Sequence, residues 1–530
     1  DRPFTHPAPA ASRPGHPQQR PRRAGRQTMT TDKATIHRLA TGVPGFDEVL
    51  GGGLPEYSFN LIAGTPGSGK TTLAHQMMFA LATPERPALY FTVLGEPPLK
   101  MLRYQQQFDF FDSGLINRSI HFINLSDDAS AGDLDQVLQR IVAEVEAHRP
   151  ALVFVDSFRS VVHASRGEGN PHNNLQQFVQ QLGMLMTSWQ ATTFLIGEYF
   201  IDTDTETDAN PVLTVADGLI WLRQSVQRNS MVRKMEIMKM RGQPTLPGLH
   251  TFRIGTAGLE VFAPARVALP AHVEANPGSL GPRLLMGVPR LDDMMGGGLP
   301  RGYSVLVAGP SGSGKSILAA AFLAEGARCG ETGVIAVFEQ RPNRSRNRVI
   351  TDLIESGRVG LVDSRAPDLS IDEIVLLLLN EIRRLNASRV VIDSLSAFEL
   401  ALAPTFREDF RESLLRLVTA LTGAGVTVLM TSELEDRYSD LRFSPYGTAF
   451  LTDAIIVQRY IEVDSRLRRV MAVVKVRASA HSDELREFSI DDSGIRIGEM
   501  LPDQEGLLGG RPTRKRASDL SFPITGADSS

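Results

Sequence analysis

Residues Arg38 to Pro55 return, in altered form, as Arg283 to Pro300, 245 residues later. Both copies read Arg-Leu-x-x-Gly-Val-Pro-x-x-Asp and end in Gly-Gly-Gly-Leu-Pro. Lys70 and Lys315 keep the same offset. Asp156 and Asp393 are 237 residues apart, and Lys239 and Lys475 are 236 apart. An offset that drifts so little over more than 200 residues marks two tandem copies of one domain rather than scattered motifs. The length of 530 residues agrees, since about 150 residues per domain gives two to four domains.

Within each copy, short apolar runs alternate with helix-length amphipathic text. Phe59–Ala63, Ala88–Val93, Ala151–Val155 and Thr192–Ile196 read as strands in the first copy, and Ala131–His148 reads as a helix. The second copy offers Ser304–Ala308, Val334–Phe338, Val390–Ile392 and Val426–Met430. Strands with no polar face must be covered on both sides. The pattern therefore predicts an α/β fold built on a mainly parallel central sheet. The expected boundaries are 29–262 for the first domain, 263–282 for a Pro-rich linker and 283–502 for the second domain. A disordered extension is expected over 1–28, and a disordered tail over 503–530 with a basic knot at Arg511, Arg514, Lys515 and Arg516. Residues 1–28 contain no methionine and no apolar signal-like core, so Met29 is a candidate translation start.

Gly64-Thr65-Pro66-Gly67-Ser68-Gly69-Lys70-Thr71, followed by Thr72, matches the phosphate-binding pattern G-x-x-x-x-G-K-[ST] between a strand and a helix. Gly309-Pro310-Ser311-Gly312-Ser313-Gly314-Lys315-Ser316 matches it again. By chance the pattern is expected on the order of 0.02 times in a chain this long. Its glycines let backbone N–H groups turn inward around phosphates, and the following helix offers its positive end. Lys70 and Lys315 are expected to reach the β- and γ-phosphates, and the hydroxyls of Thr71 and Ser316 to ligate Mg²⁺. Asp156 and Asp393 each end an apolar strand and precede a serine. They are candidates to hold the same ion, directly or through water. Glu96 and Glu339 follow the next strand and are candidate bases for an attacking water.

Composition limits the remaining classes. Lys and Arg number 56 against 60 Asp and Glu, a net charge of −4, so no global basic field favours nucleic acid or an anionic membrane. The longest aliphatic run, Ile374 to Leu379, is far short of a membrane span. Cys329 is the sole cysteine, which removes disulfides and cysteine-rich metal sites and fits a reducing cytoplasm. The eleven histidines show no metal-ligand spacing.

The paired Gly-Gly-Gly-Leu-Pro lead-ins, the two P-loops, the Asp-Ser strand ends, and the endings Lys239-Met-Arg241-Gly242 and Lys475-Val-Arg477-Ala478-Ser479 resemble the KaiC family of circadian-clock ATPases. The resemblance covers roughly residues 35–500. It implies two tandem RecA-like P-loop NTPase domains, ATP as the nucleotide, and a homo-oligomer in the form of a hexameric double ring with ATP between subunits. It also implies that Lys239, Arg241, Lys475 and Arg477 contact the nucleotide of the neighbouring subunit. From the residues alone, the same cations would read as strand-edge lysines and arginines. Two departures stand out. The family's adjacent glutamate pair appears as Gly95-Glu96 and Glu339-Gln340. Its Ser-Thr phosphoacceptor pair, aligned on Thr452-Asp453, falls on Ala449 and Phe450, with Ser444, Thr448 and Thr452 as the nearby hydroxyls.

Four functions remain open on this reading. The first is a cytoplasmic hexameric ATPase whose state is read by regulatory protein partners. The second is a serine/threonine kinase using Glu339. The third is a nucleic-acid motor using Arg159, His163 and Arg166, diluted by Glu168 and disfavoured by net charge. The fourth is a module that binds ATP only to assemble.

Overall fold

The computed structural model describes residues 36–92, 98–130, 134–157, 171–198, 211–227, 229–265, 282–338, 347–363, 368–407, 409–434, 450–463, 465–500, 504–505 and 513–514. The described residues from Arg38 onward form one compact unit. It contains two nine-stranded sheets. The expected extension 1–28 and most of the linker lie outside the described residues. Of the tail, Gln504–Glu505 pairs antiparallel with Thr513–Arg514.

Across the first sheet the strands run Gly258–Phe262, Leu249–Gly255, Ser230–Met240, Gly218–Gln227, Phe59–Gly64, Thr192–Glu198, Leu152–Asp156, Ala88–Thr92 and Ile120–Asn124. The second sheet has the same order: Gly494–Met500, Arg486–Asp491, Arg466–Val476, Ala454–Val463, Ser304–Gly309, Thr427–Glu433, Arg389–Asp393, Gly333–Val337 and Val359–Asp363. In each, six strands are parallel and three extend the sheet antiparallel. These are two tandem RecA-like α/β domains, as the family resemblance implies.

Burial explains the unbroken apolar runs. All six residues of Phe59–Gly64 are buried. Leu61 and Ala63 face a core with Ile141, Phe178 and Leu182. Ile62 faces the opposite core with Leu73, Met77 and Phe46. Fully burying side chains of this size contributes about 1.5–3 kcal/mol each. In the second repeat, Leu306 packs with Ile374, Leu378 and Leu414, while Val305 and Val307 pack with Leu318 and Phe322. The aliphatic run at Ile374 therefore belongs to a core helix, Ile371–Leu385, which is started by a capping box between Ser370 and Glu373. No helix among the described residues is long and apolar enough to cross a membrane.

The repeated lead-in has a local cause. Gly51, Gly52 and Gly53, and likewise Gly296, Gly297 and Gly298, all have positive φ, a conformation that side chains resist. Arg38 Nη1 donates to the Gly51 carbonyl at 2.6 Å, and Arg283 Nη1 donates to that of Gly298 at 2.7 Å. The motif is a turn clamped by its own arginine.

Candidate functional site

Each P-loop leaves the end of a buried central strand, between neighbours on which the chain order switches. That position is where open α/β sheets place ligands. Gly64 pairs with Glu198 on one side and Leu222 on the other. A Cβ at Gly64 would meet the Leu222 carbonyl oxygen at 2.2 Å, so the close approach needs glycine. The loop then opens the helix Lys70–Leu81, with Gly69 at φ 101° as its N-cap. The second loop opens Lys315–Arg328 from Gly314 at φ 104°.

Lys70 Nζ donates to the carbonyls of Gly64 at 3.0 Å and Thr65 at 2.9 Å. Lys315 Nζ donates to those of Gly309 at 2.9 Å and Pro310 at 2.7 Å. Burial lowers the pKa of both ammonium groups, and nearby carboxylates oppose that shift: Glu198 and Asp156 for Lys70, Glu433 and Asp393 for Lys315. A cation withdrawn from water and bridging loop carbonyls is suited to an anionic ligand.

Thr71 and Asp156 lie in hydrogen-bond contact. Thr71 Oγ1 donates to Asp156 Oδ2 at 2.8 Å, and the Tyr90 hydroxyl donates to the same oxygen at 2.7 Å. Burial pushes the Asp156 carboxyl up, against the hydrogen bonds from Tyr90 and Thr71 and the charge of Lys70. Burial also pushes the Tyr90 phenol well above its ordinary range. In the second repeat, Thr431 Oγ1 donates to Asp393 Oδ1, and Ser316 occupies the helix position of Thr71. A hydroxyl beside a strand-ending carboxylate, one helix residue after the lysine, is an oxygen donor set that fits Mg²⁺. The peptide bonds Asp156–Ser157 and Asp393–Ser394 are both cis.

Glu198 and Glu433 were not expected from the sequence. Each ends the strand beside its P-loop strand, Glu198 level with Gly64 and Glu433 level with Gly309. The signal was available: they are 235 residues apart, in step with the repeat.

The late cations are not brought to their own P-loops. Lys239 Nζ donates to the carbonyls of Leu213 at 3.5 Å and Thr214 at 3.2 Å. Arg241 Nη1 bonds Asp217 Oδ1 at 3.0 Å. Asp217 in turn accepts from the Phe59 amide at 3.1 Å. Arg241 therefore lies level with Phe59, five residues before Gly64, or about 17 Å along the strand. Lys475 Nζ donates to the Thr452 carbonyl at 2.6 Å, and Arg477 Nη1 bonds Asp453 Oδ1 at 3.2 Å.

Glu96 and Glu339 lie outside the described residues, as do Arg159, His163, Arg166, Glu168, Ser444, Thr448 and Ala449. Phe450 is half exposed under the Arg411 guanidinium. Thr452 is fully buried, so the structure does not offer its hydroxyl as a surface acceptor.

The family model described as ATPase: KaiC matches residues 39–266 and again 284–501. The circadian clock oscillator protein KaiC of Rippkaea orientalis is 27% identical over 499 residues, covering 90% of this chain and 92% of that protein. That of a Picosynechococcus species is 26% identical over 506 residues, covering 92% and 94%. The circadian clock oscillator protein KaiC 1 of a Synechocystis species is 27% identical over 514 residues, covering 93% and 95%.

Proposed function

Because the chain belongs to the KaiC family of ATPases, we propose that it binds Mg-ATP at both P-loops and hydrolyses it between the subunits of a hexameric double ring. Regulatory protein partners then read the ring's nucleotide state. The observation that carries this reading is the Lys70–Thr71–Asp156 arrangement beside the first P-loop, matched by Lys315, Ser316 and Asp393 beside the second.

On this reading the backbone N–H groups of 64–71 and 309–316 hold the phosphates. Lys70 and Lys315 release their loop carbonyls to take phosphate oxygens. Thr71 and Asp156, and Ser316 and Asp393, would hold Mg²⁺, which would supply charge neutralisation to the phosphates. Glu96 and Glu339 orient water for in-line attack. Lys239, Arg241, Lys475 and Arg477 act in trans. Arg241 and Arg477, level with Phe59 and Ser304 and so about 17 Å along the strand from their own P-loops, support that role, because at that distance they do not reach their own nucleotide.

The test follows phosphate release and intact mass of one Mg-ATP incubation, with Glu96→Gln and Glu339→Gln beside the wild type. Phosphate release lost in one variant, with no mass gain, identifies the working domain. A phosphate-sized mass gain that disappears with Glu339→Gln makes the second domain a kinase instead. No phosphate release and no mass gain from the wild type sinks both readings.

A further inference from the structure

The two repeats hold the same aspartate by hydroxyls from opposite sides. In the first repeat Asp156 lies between the strands Ala88–Thr92 and Thr192–Glu198. Its hydroxyl donor on the sheet is Tyr90, from the first of these. The residue level with Asp156 on the other side is Ile196. In the second repeat the donor comes from the other strand: Thr431, which occupies the position of Ile196. The position of Tyr90 is taken there by Ile335, as the matching registers Tyr90 with Phe154 and Ile335 with Val391 require. One hydroxyl has been lost and another gained, and the aspartate keeps a donor in both repeats.

A phenol buried without an acceptor would carry the full desolvation penalty of its hydroxyl. The Tyr90 ring is fixed by neighbours particular to the first repeat: His75 at 4.6 Å between centroids, Phe122 at 5.4 Å and Phe154 stacked at 6.0 Å. The P-loop helix has Ala320 where the first repeat has His75.

We propose that Tyr90 and Thr431 are positioning residues that hold Asp156 and Asp393 in the rotamer needed to bind the divalent cation of the nucleotide complex. This rests on the Mg-nucleotide reading above. Carboxylates at metal sites are themselves oriented by hydrogen bonds, and loss of such a partner typically lowers metal affinity tenfold or more. Tyr90→Phe keeps the ring and removes only the donor. Ile196→Thr places a hydroxyl where the second repeat has one.

The experiment titrates Mn²⁺ into the full chain with saturating ADP, reading bound metal by electron paramagnetic resonance. ADP binding in EDTA and thermal melting are measured alongside. Tyr90→Phe is expected to raise the Mn²⁺ half-saturation of one class of site about tenfold, and Thr431→Val that of the other. ADP binding in EDTA stays within about twofold, since no phosphate contact is removed. The double variant Tyr90→Phe/Ile196→Thr is expected to regain most of the lost metal affinity. Unchanged half-saturation in Tyr90→Phe, an equal loss of metal-free ADP binding, or no recovery in the double variant overturns the assignment in favour of ring packing. If the wild type binds ADP in neither condition, the nucleotide reading fails first, and the inference with it.

Discussion

Arg253, near the end of the first repeat, donates from Nε to Glu373 Oε1 in the second repeat at 2.7 Å and from Nη2 to the Asp368 carbonyl at 3.0 Å. Glu373 is also the acidic half of the capping box that starts the helix Ile371–Leu385. One side chain from the first repeat thus grips the first turn of a core helix of the second. Arg253 is partly exposed while Glu373 is nearly buried, so solvent screening reduces the pair's contribution.

Arg253→Ala is expected to cost about 1–2 kcal/mol, the range of a partly screened charge-assisted hydrogen bond. It should also separate the unfolding of the two repeats. Differential scanning calorimetry would read this as a single transition broadening or splitting. Glu373→Gln, which keeps the cap but weakens the ion pair, should do so less. A transition in Arg253→Ala with the width and midpoint of the wild type would show that the contact carries no coupling.

A second prediction concerns Arg389, the largest fully buried side chain among the described residues. Its guanidinium bonds Glu331 Oε2 at 2.6 Å and the carbonyls of Leu285 at 2.8 Å and Phe322 at 2.9 Å, and it lies 4.6 Å from the Phe322 ring centroid. Arg389→Leu removes the donor to Glu331 Oε2 and to the Leu285 carbonyl, while Glu331 keeps its ion pair with Arg301, and should cost about 2–3 kcal/mol in urea unfolding. The first repeat has Leu152 at this position, so Leu fits the strand. Arg389→Leu combined with Glu331→Leu should recover part of the loss. A single variant within about 1 kcal/mol of the wild type would mean that the network contributes little.

Arg389 also shows where sequence reading stops. Val390–Ile392 was legible as a strand because its apolar residues sit between turn signals, but nothing local says that the arginine before it points inward. The core strands and P-loops were readable for the same reason: each is specified by adjacent residues. The strands that lead into the site run one to three residues beyond their expected ends, because the sheet ladder continues onto Gly64, Asp156, Glu198 and their counterparts, whereas the strands expected at Ala88–Val93 and Val334–Phe338 end one residue earlier, at Thr92 and Val337. The antiparallel extension from Gly218 to Phe262 was not read. Its strands mix polar and apolar residues, as half-exposed strands do. Tyr90 and Glu198 escaped because their roles depend on register between strands far apart in sequence.

The P-loop lysines give a third prediction. Lys70→Ala and Lys315→Ala should each weaken binding of a fluorescent ATP analogue at one class of site by at least tenfold, the scale of a lost charge-assisted contact. The other class should be unchanged. Glu198→Gln removes a carboxylate beside Lys70 and should tighten binding at the first site by several-fold, since like charge no longer opposes the phosphates. Equal weakening of both classes by either lysine variant would indicate global damage rather than site-specific recognition.

The fourth prediction separates the repeats by pH. His75 is fully buried on the P-loop helix, and burial takes its pKa down to about 4, opposed in part by the nearby Gln105 side chain. The unfolded imidazole titrates near 6.5. Between those values the unfolded state binds the extra proton, so stability falls as pH is lowered, by about 3 kcal/mol at pH 4. Asp292 in the second repeat has the opposite sign. Burial takes its carboxyl up to about 6 from 3.8, opposed by the amides of Met286 and Gly287 and reinforced by Glu325 and Asp293. There the folded state binds the extra proton, and the second repeat gains roughly 2 kcal/mol over the descent from pH 6.5 to 4. Both tryptophans, Trp189 and Trp221, belong to the first repeat. Tryptophan fluorescence therefore follows its unfolding, while circular dichroism follows both repeats. In guanidinium titrations of Arg253→Ala, whose repeats unfold separately, from pH 6.5 to 4, the fluorescence midpoint should fall faster than the dichroism midpoint. His75→Phe should flatten the fluorescence trend and leave the second repeat unaffected. Asp292→Asn should remove the gain of the second repeat at low pH. A fluorescence midpoint that still falls as steeply in His75→Phe would place the acid sensitivity of the first repeat in other groups.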